Sequence, residues 1–402
     1  MTWHMEKLMN APEPISTSIT LPAAKGRLEA FQLSTPREFP SKPANAFTRI
    51  AYSAAHVVAD PLKEHDPWVD CAIDWDATIA FRRHVWSLGL GVAEAMDTAQ
   101  RGMGLDWPTS LELIRRSIDA SKDIEGAFLA SGAGTDHLAP EDAKSIDDVI
   151  RAYEEQIAAI EKLGGRIILM ASRALARVAR SPDDYHRVYD RILSQVKEPV
   201  IIHWLGEMFD PALKGYWGNA DHLLAMDAAV AAINRNAAKV DGVKVSLLDK
   251  DKEIAMRRRL APGVKMYTGD DFNYAELIEG DAQGFSHALL GIFDAIAPAA
   301  SAALVALARN DSKTFNDILA PTVPLSRHIF KAPTRFYKTG VVFMAYLNGL
   351  QNHFTMVGGQ QSARSIVHLS ELFRLADRAG LLRDPDLACA RMRAVLAVHG
   401  VV

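Results

Sequence analysis

Cysteine is almost missing from the 402 residues: Cys71 and Cys389 are the two present, and they lie far apart. That excludes a disulfide framework and a zinc-knuckle ligand set, and it suits a reducing compartment such as the cytoplasm. No excess of one charge is present either. The 45 basic and 49 acidic residues leave a net charge of −4, with no basic stripe, so a nucleic-acid partner is not expected. Long hydrophobic runs are also absent. The most apolar stretch, residues 285–308, is interrupted by Asp294 and Pro298, and reads as a strand followed by a buried helix rather than a membrane span. The opening MTWHMEKLMNAPEP has no extended apolar core and no cleavage-site pattern, so a signal peptide is not expected. No Gly-x-Gly-x-x-Gly turn follows an early strand, which lowers the case for a dinucleotide site.

What is present is ordinary globular composition, 49% hydrophobic and 23% charged, enough for a large core. The first 48 residues are rich in Pro and Ser and read as an N-terminal extension, with a possible hairpin in STSITLPAAKGRLEAFQL. From residue 49 short apolar runs alternate with amphipathic helical stretches. In SIDDVIRAYEEQIAAIEKLGG, residues Ile146, Val149, Ile150, Tyr153, Ile157, Ile160 and Leu163 fall on one helical face. Ser145 is its expected N-cap, with Asp148 three residues on, and Gly164 and Gly165 end it. The strand-like RIILMAS follows. Ser181 and Pro182 then open another helix, whose buried face carries Tyr185, Val188, Ile192 and Val196.

Eight runs read as strands: 49–58, 89–96, 124–131, 166–172, 199–205, 242–248, 263–269 and 284–290. Strands alternating with helices imply right-handed parallel crossovers, and eight of them imply a closed (β/α)8 TIM barrel of the α/β class. An open doubly wound sheet is the alternative. Past residue 310 the pattern is helical only, in TRFYKTGVVFMAYLNGLQ and ARSIVHLSELFRLADRAGLL. The expected organisation is an extension over 1–48, a catalytic barrel over 49–310 and a C-terminal helical region over 311–402.

Active sites of such barrels form at the C-terminal ends of the strands. Polar residues expected there are His56 and Asp60, Glu94 and Asp97, Asp136 and His137, Ser172 and Arg173, His203 and Glu207, Lys244 and Ser246, and finally Thr268, Asp270 and Asp271. The most informative lies in DGVKVSLLDKDKE. Val243, Val245 and Leu247 read as one face of a strand, which leaves Lys244 and Ser246 on the other. A lysine inside a barrel is desolvated, which lowers its pKa and favours the neutral amine. A neutral amine attacks carbonyls, and the resulting protonated imine is an electron sink for bond cleavage. The plain alternative is a lysine paired with an interior carboxylate or reaching out at the strand end. Lys265, on the next strand, is a competitor placed nearer that strand's N-terminal end. His203 suits a general acid or base, a metal ligand or a satisfied core histidine. His56, Glu94 and His203 together are a loosely spaced candidate set for a divalent metal.

Four segments, in this order and spacing, resemble the dihydrodipicolinate synthase / N-acetylneuraminate lyase family of class I aldolases over residues 50–310. AIDWDATIAFRRHVWSLGLGVAEA is similar to that family's first helix and second strand, and AFLASGAGTDH to its third-strand turn. DGVKVSLLD is similar to the segment bearing the Schiff-base lysine, which maps to Lys244. YTGDDFNYAELIEGDAQGFSHALLGIFDAIAP is similar to its Gly-Asp-Asp turn and Gly-rich eighth strand. The departures lie around the substrate. Where the family grips a pyruvate carboxylate with a Gly-Thr-Thr-Gly-Glu type turn, this chain has EAMDTAQRG, with Thr98 in a comparable place. Where the family has a proton-shuttling tyrosine on the fifth strand, this chain has His203, and its fourth strand offers Ser172 and Arg173.

The expectation is therefore a cytoplasmic Schiff-base lyase, divergent from the pyruvate-dependent aldolases, that performs retro-aldol cleavage or dehydration on a small keto-acid or keto-sugar. Lys244 and His203 are the expected catalytic residues. His56, Glu94, Asp97, Thr98, Ser172, Arg173, Ser246 and Asp270 are the expected substrate contacts. No cofactor beyond the lysine is called for. Two other readings keep the fold: a metal-dependent sugar isomerase or aldolase using Mg2+, Mn2+ or Zn2+, and a sugar-binding barrel without turnover. The resemblance implies a homo-oligomer, dimer or tetramer, and the composition calls for no membrane or nucleic-acid partner.

Overall fold

The computed structural model describes residues 14–39 and 47–401. Residues 1–13 and 40–46 of the expected extension lie outside the described residues. The chain divides into two compact units, one of Arg49–Ala55 with Leu90–Gly291, the other of Met1–Thr48, His56–Gly89 and Ile292–Val402.

The second of these is helical apart from an antiparallel pair, β1 (Pro14–Pro22) and β2 (Leu28–Ser34), which is the hairpin expected from STSITLPAAKGRLEAFQL. Leu21 and Leu33 bury its inner face, each contributing roughly 1.5–3 kcal/mol. The Ser34 N–H donates to Asp377 (3.0 Å) and Thr17 to Asp386 (2.7 Å), which fastens the pair to helices Ile366–Arg378 and Pro385–Val398. Helix Tyr337–Leu347 is buried along its whole length, as its all-round apolar sequence requires. Residues 285–308 resolve into the strand His287–Leu290, the short helix Ile292–Ala295 and the buried helix Ala297–Ala308, and among the described residues no helix is long and apolar enough to cross a membrane.

The first unit is a closed barrel of eight parallel strands in sequential order. They are β3 (Ala51–Ala54), β4 (Gly91–Glu94), β5 (Leu129–Ala133), β6 (Ile167–Leu169), β7 (Val200–Leu205), β8 (Val240–Ser246), β9 (Lys265–Thr268) and β10 (His287–Leu290). Each of the eight sequence runs contains or overlaps one of them. The third starts later than its run because Gly126 takes φ 75° in the hydrogen-bonded turn Ile124–Ala127, which delays the strand to Leu129. Helix Ile146–Lys162 has the anticipated capping box, with Ser145 and Asp148 each satisfying the other's backbone.

The register settles which side chains fill the barrel. Directly paired residues of parallel neighbours share a face, and alternate residues share it along a strand. Ala54 pairs with Ala93, Ala93 with Ala130, Ile168 with Ile201, Ile201 with Gly242 and Leu289 with Tyr52. All but Gly242 belong to one buried cluster, together with Met170 and Tyr267, so this parity is the interior. His203 and Lys244 are paired with each other at the same parity, and Lys244 with Tyr267. Both therefore point inward, with Ser246 one step further along. Val243, Val245 and Leu247 face the opposite side and are buried there, as expected for a strand covered on both faces. Gly242 is small because a Cβ would stand 2.6 Å from the Tyr267 ring.

Candidate active site

The N-terminal end of the barrel is occupied by polar groups that satisfy one another. Lys265 is held by Asp241 at 2.7 Å, and Tyr267 donates to the same carboxylate at 2.6 Å. The competitor lysine thus has a partner at the end of the barrel away from the expected site.

Lys244 lies closer to the C-terminal end of its strand and is buried. Burial lowers its pKa, while the negative charges of Asp97 and Asp271 pull it back up. Its neighbour His203 is wholly buried. Nε2 of the ring lies 3.1 Å from Ser246 Oγ, and Nδ1 is buried without a partner among the described residues. Burial drives the His203 pKa well below the usual histidine range and the nearby Lys244 charge pushes it the same way, so the imidazole is neutral. Gly269, following β9, packs against Lys244 and Ser246. A Cβ there would come 2.2 Å from Ser246 Oγ and 2.8 Å from Lys244 Cε.

His203 lines a cavity of about 600 Å3, counting space open to solvent, at the C-terminal ends of β4–β7. Asp97 lines it from the 3-10 turn Asp97–Ala99 after β4, and Thr135 and Asp136 from the turn after β5. Arg173 and Asp210 line it from beyond β6 and β7, joined by an ion pair. Arg101 completes the wall. It donates to both Asp136 oxygens (3.0 and 2.6 Å) and to the Gly132 carbonyl and Gln156.

The expected contacts divide into two groups. Asp97, Arg173 and His203 line the cavity, and Ser246 supports His203. Ser172 Oγ caps helix Arg173–Val178 through the Leu175 N–H and is hydrogen-bonded to Thr135 at 2.6 Å, so it supports the wall from behind. Thr98 is buried in the turn beside Asp97. Glu94 is not brought to the cavity. Ala93 points inward, so alternation turns Glu94 outward, where it accepts from Ser117 and from the Ala95 N–H. Asp270 folds back onto its own turn, accepting from the Phe272 and Asn273 backbones and the Asn273 amide (2.8 Å). It is Asp271, one residue on, whose charge reaches Lys244. His56 belongs to the helical unit, where its ring bonds Asp294 at 2.8 Å and Gln351 at 3.1 Å. The trio His56, Glu94 and His203 therefore does not converge, and among the described residues no three His, Cys, Asp or Glu side chains cluster to hold a metal ion.

Three tyrosines stand behind the Ser172 turn, each borne on a connection rather than a strand. Tyr216 accepts from the Ser172 N–H (3.1 Å), Tyr189 contacts Tyr216 through the hydroxyls (3.1 Å) and Tyr153 donates to the Met170 carbonyl (2.5 Å). Burial raises all three phenol pKa values, and they stiffen the wall as neutral groups.

The model of a family described as "Protein of unknown function (DUF993)" matches residues 19–401. No curated protein matches the chain in sequence. Solved structures similar to it include dihydrodipicolinate synthase from Aquifex aeolicus, at 11% identity and TM-score 0.62, covering 83% of this chain and 99% of that one. YagE, a prophage protein of the dihydrodipicolinic acid synthase family from E. coli K12 in complex with pyruvate, matches at 14% identity and TM-score 0.62, with the same coverages. The pyruvate complex of the enzyme from Acinetobacter baumannii matches at 16% identity and TM-score 0.60, covering 83% and 99%. At these identities the likeness is one of fold.

Proposed function

Because this chain belongs to the DUF993 family and carries the fold of the dihydrodipicolinate synthases, we propose that it is a Schiff-base-forming lyase acting on a small keto-acid or keto-sugar. The observation that carries the reading is the pairing of a buried amine with a buried neutral imidazole inside the barrel, Lys244 beside His203 on adjacent strands.

The chemistry follows from those two groups. The neutral Lys244 amine adds to the substrate carbonyl to give a carbinolamine, and loss of water leaves a protonated imine. In retro-aldol cleavage a base takes the proton of the hydroxyl one carbon beyond the α-carbon. The carbon–carbon bond then breaks, and its electron pair enters the imine to give an enamine. In dehydration the base takes a proton from the α-carbon instead, and the electron pair of that bond enters the imine to give an enamine. The enamine expels the β-hydroxyl, which leaves as water with the proton returned by the base. His203 fits the base: it is uncharged, it lines the cavity, and Nδ1 has no partner among the described residues. Ser246 on Nε2 orients the ring. Asp97 and Thr135 are the groups we assign to substrate hydroxyls.

The test is borohydride reduction of the protein in the presence of keto-acids and keto-sugars, followed by peptide mass analysis. An adduct on Lys244 is expected. Reduction products on other lysines alone, or none with substrates that the protein turns over, overturn the assignment.

A further inference from the structure

We propose that the site selects an uncharged hydroxy-carbonyl compound, a sugar-like ketone or aldehyde, and that Asp97 is the residue that turns 2-keto acids away. This rests on the Schiff-base reading of Lys244 and narrows its substrate class.

A 2-keto acid carries its carboxylate on the carbon next to the carbonyl. When that carbonyl bonds to Lys244 Nζ, the carboxylate must lie in the immediate surroundings of the nitrogen. Asp97 lines the cavity together with His203, the register partner of Lys244, and the negative charges of Asp97 and Asp271 bear on the amine. Both arginines of the cavity have a carboxylate partner that offsets their charge. Arg101 spends its donors on Asp136, Gln156 and the Gly132 and Ala95 carbonyls. Arg173 is ion-paired with Asp210. Counting Asp97, Asp136 and Asp210 against Arg101 and Arg173, with His203 neutral, the lining carries one net negative charge. A further carboxylate beside Lys244 is repelled, whereas hydroxyl groups find acceptors in Asp97 and Thr135. The wholly buried His203, with Nδ1 unpartnered at the cavity wall, marks this as a place where a ligand completes the hydrogen bonding.

Hydroxyacetone and pyruvate make a matched pair of probes: both are methyl ketones of similar size, one ending in a hydroxymethyl group and the other in a carboxylate. Each is offered to the full-length protein at equal concentration with borohydride, and labelling of Lys244 is read by peptide mass. Rates are divided by those on a free model amine, which removes the difference in intrinsic reactivity. Hydroxyacetone is expected to label Lys244 on the order of tenfold or more faster than pyruvate, the effect of one like charge at close range in a partly buried site. Asp97→Asn is expected to narrow the gap by speeding pyruvate. Equal normalised labelling of the native protein overturns the substrate class and leaves the imine reading standing. An unchanged gap in Asp97→Asn removes Asp97 as its cause. If neither probe labels Lys244 this inference is overturned, whereas the imine reading stands or falls with trapping of substrates that the protein turns over.

Discussion

His203 and Lys244 are direct register partners on neighbouring parallel strands, and both side chains point into the barrel. Their charges are linked. A protonated Lys244 makes protonation of His203 harder, and burial disfavours both cations, so the pair holds at most one proton beyond the neutral state near pH 7. An amine that attacks and an imidazole that takes a proton need that arrangement.

Replacing Lys244 by Ala is expected to abolish turnover while circular dichroism and thermal unfolding stay near native. Lys244→Arg is expected to be equally inactive, since a guanidinium stays protonated and cannot attack a carbonyl. A metal-centred reaction makes the opposite demand, with activity surviving in Lys244→Ala. Substantial turnover by that variant would falsify the imine mechanism.

His203→Ala is expected to slow turnover by roughly 10²–10⁴-fold, the usual weight of one general acid–base group. Borohydride labelling of Lys244 should persist, because the histidine acts after the adduct has formed. The His203 pKa is held well below the histidine range, so the pH–rate profile of the native protein should show no step near pH 6.5. A step there that disappears in His203→Ala would mean the ring is charged at lower pH and that burial does not set its state.

The barrel was legible because its signals are local: strand-length apolar runs, the Ser145–Asp148 cap, and Pro182 at a helix start. Lys244 stood out because a charge inside an apolar strand contradicts its surroundings. What escaped depended on one-residue choices or on partners distant in sequence. Glu94 and Asp270 were each one position from the residue on the site side: strand register separates Glu94 from Ala93, and the turn after β9 folds Asp270 back on itself and leaves Asp271 to act on Lys244. Arg101 sits in the quoted EAMDTAQRG, but its bond to Asp136, 35 residues away, is made by two loops meeting. The Arg173–Asp210 pair, 37 residues apart, is hidden in the same way. The tyrosines behind Ser172 come from connections between strands, where a search of strand ends could not find them.

Gly269→Ala tests the close packing beneath the amine. The added methyl would meet Ser246 Oγ at 2.2 Å, the Val245 carbonyl at 2.7 Å and Lys244 Cε at 2.8 Å. A backbone carbonyl cannot yield cheaply, so roughly 1–3 kcal/mol of stability should be lost in denaturant titration. Displacement of Lys244 and Ser246 should also reduce both imine trapping and turnover. Native trapping rates in a folded Gly269→Ala protein would show that the amine does not depend on this contact.

Glu253 predicts how stability changes with pH. It is wholly buried, with Oε1 accepting from Ser286 at 2.7 Å and Oε2 buried without a partner among the described residues. Burial pushes its pKa up from 4.5 to about 8, so at neutral pH the folded protein holds a proton that the unfolded chain has released. A folded-state pKa above the unfolded value makes the stabilisation complete below about pH 4.5, and it declines as pH rises through about 8. The whole effect is on the order of a few kcal/mol, since one pKa unit is worth about 1.4 kcal/mol. Glu253→Gln keeps an acceptor for Ser286 and never ionises. Its unfolding midpoint in denaturant should therefore vary less between pH 6 and pH 9 than that of the native protein, and at pH 9 it should be the more stable of the two. Equal slopes in the two proteins would show that Glu253 is already ionised in the folded state at pH 6, with its charge compensated from within the barrel unit.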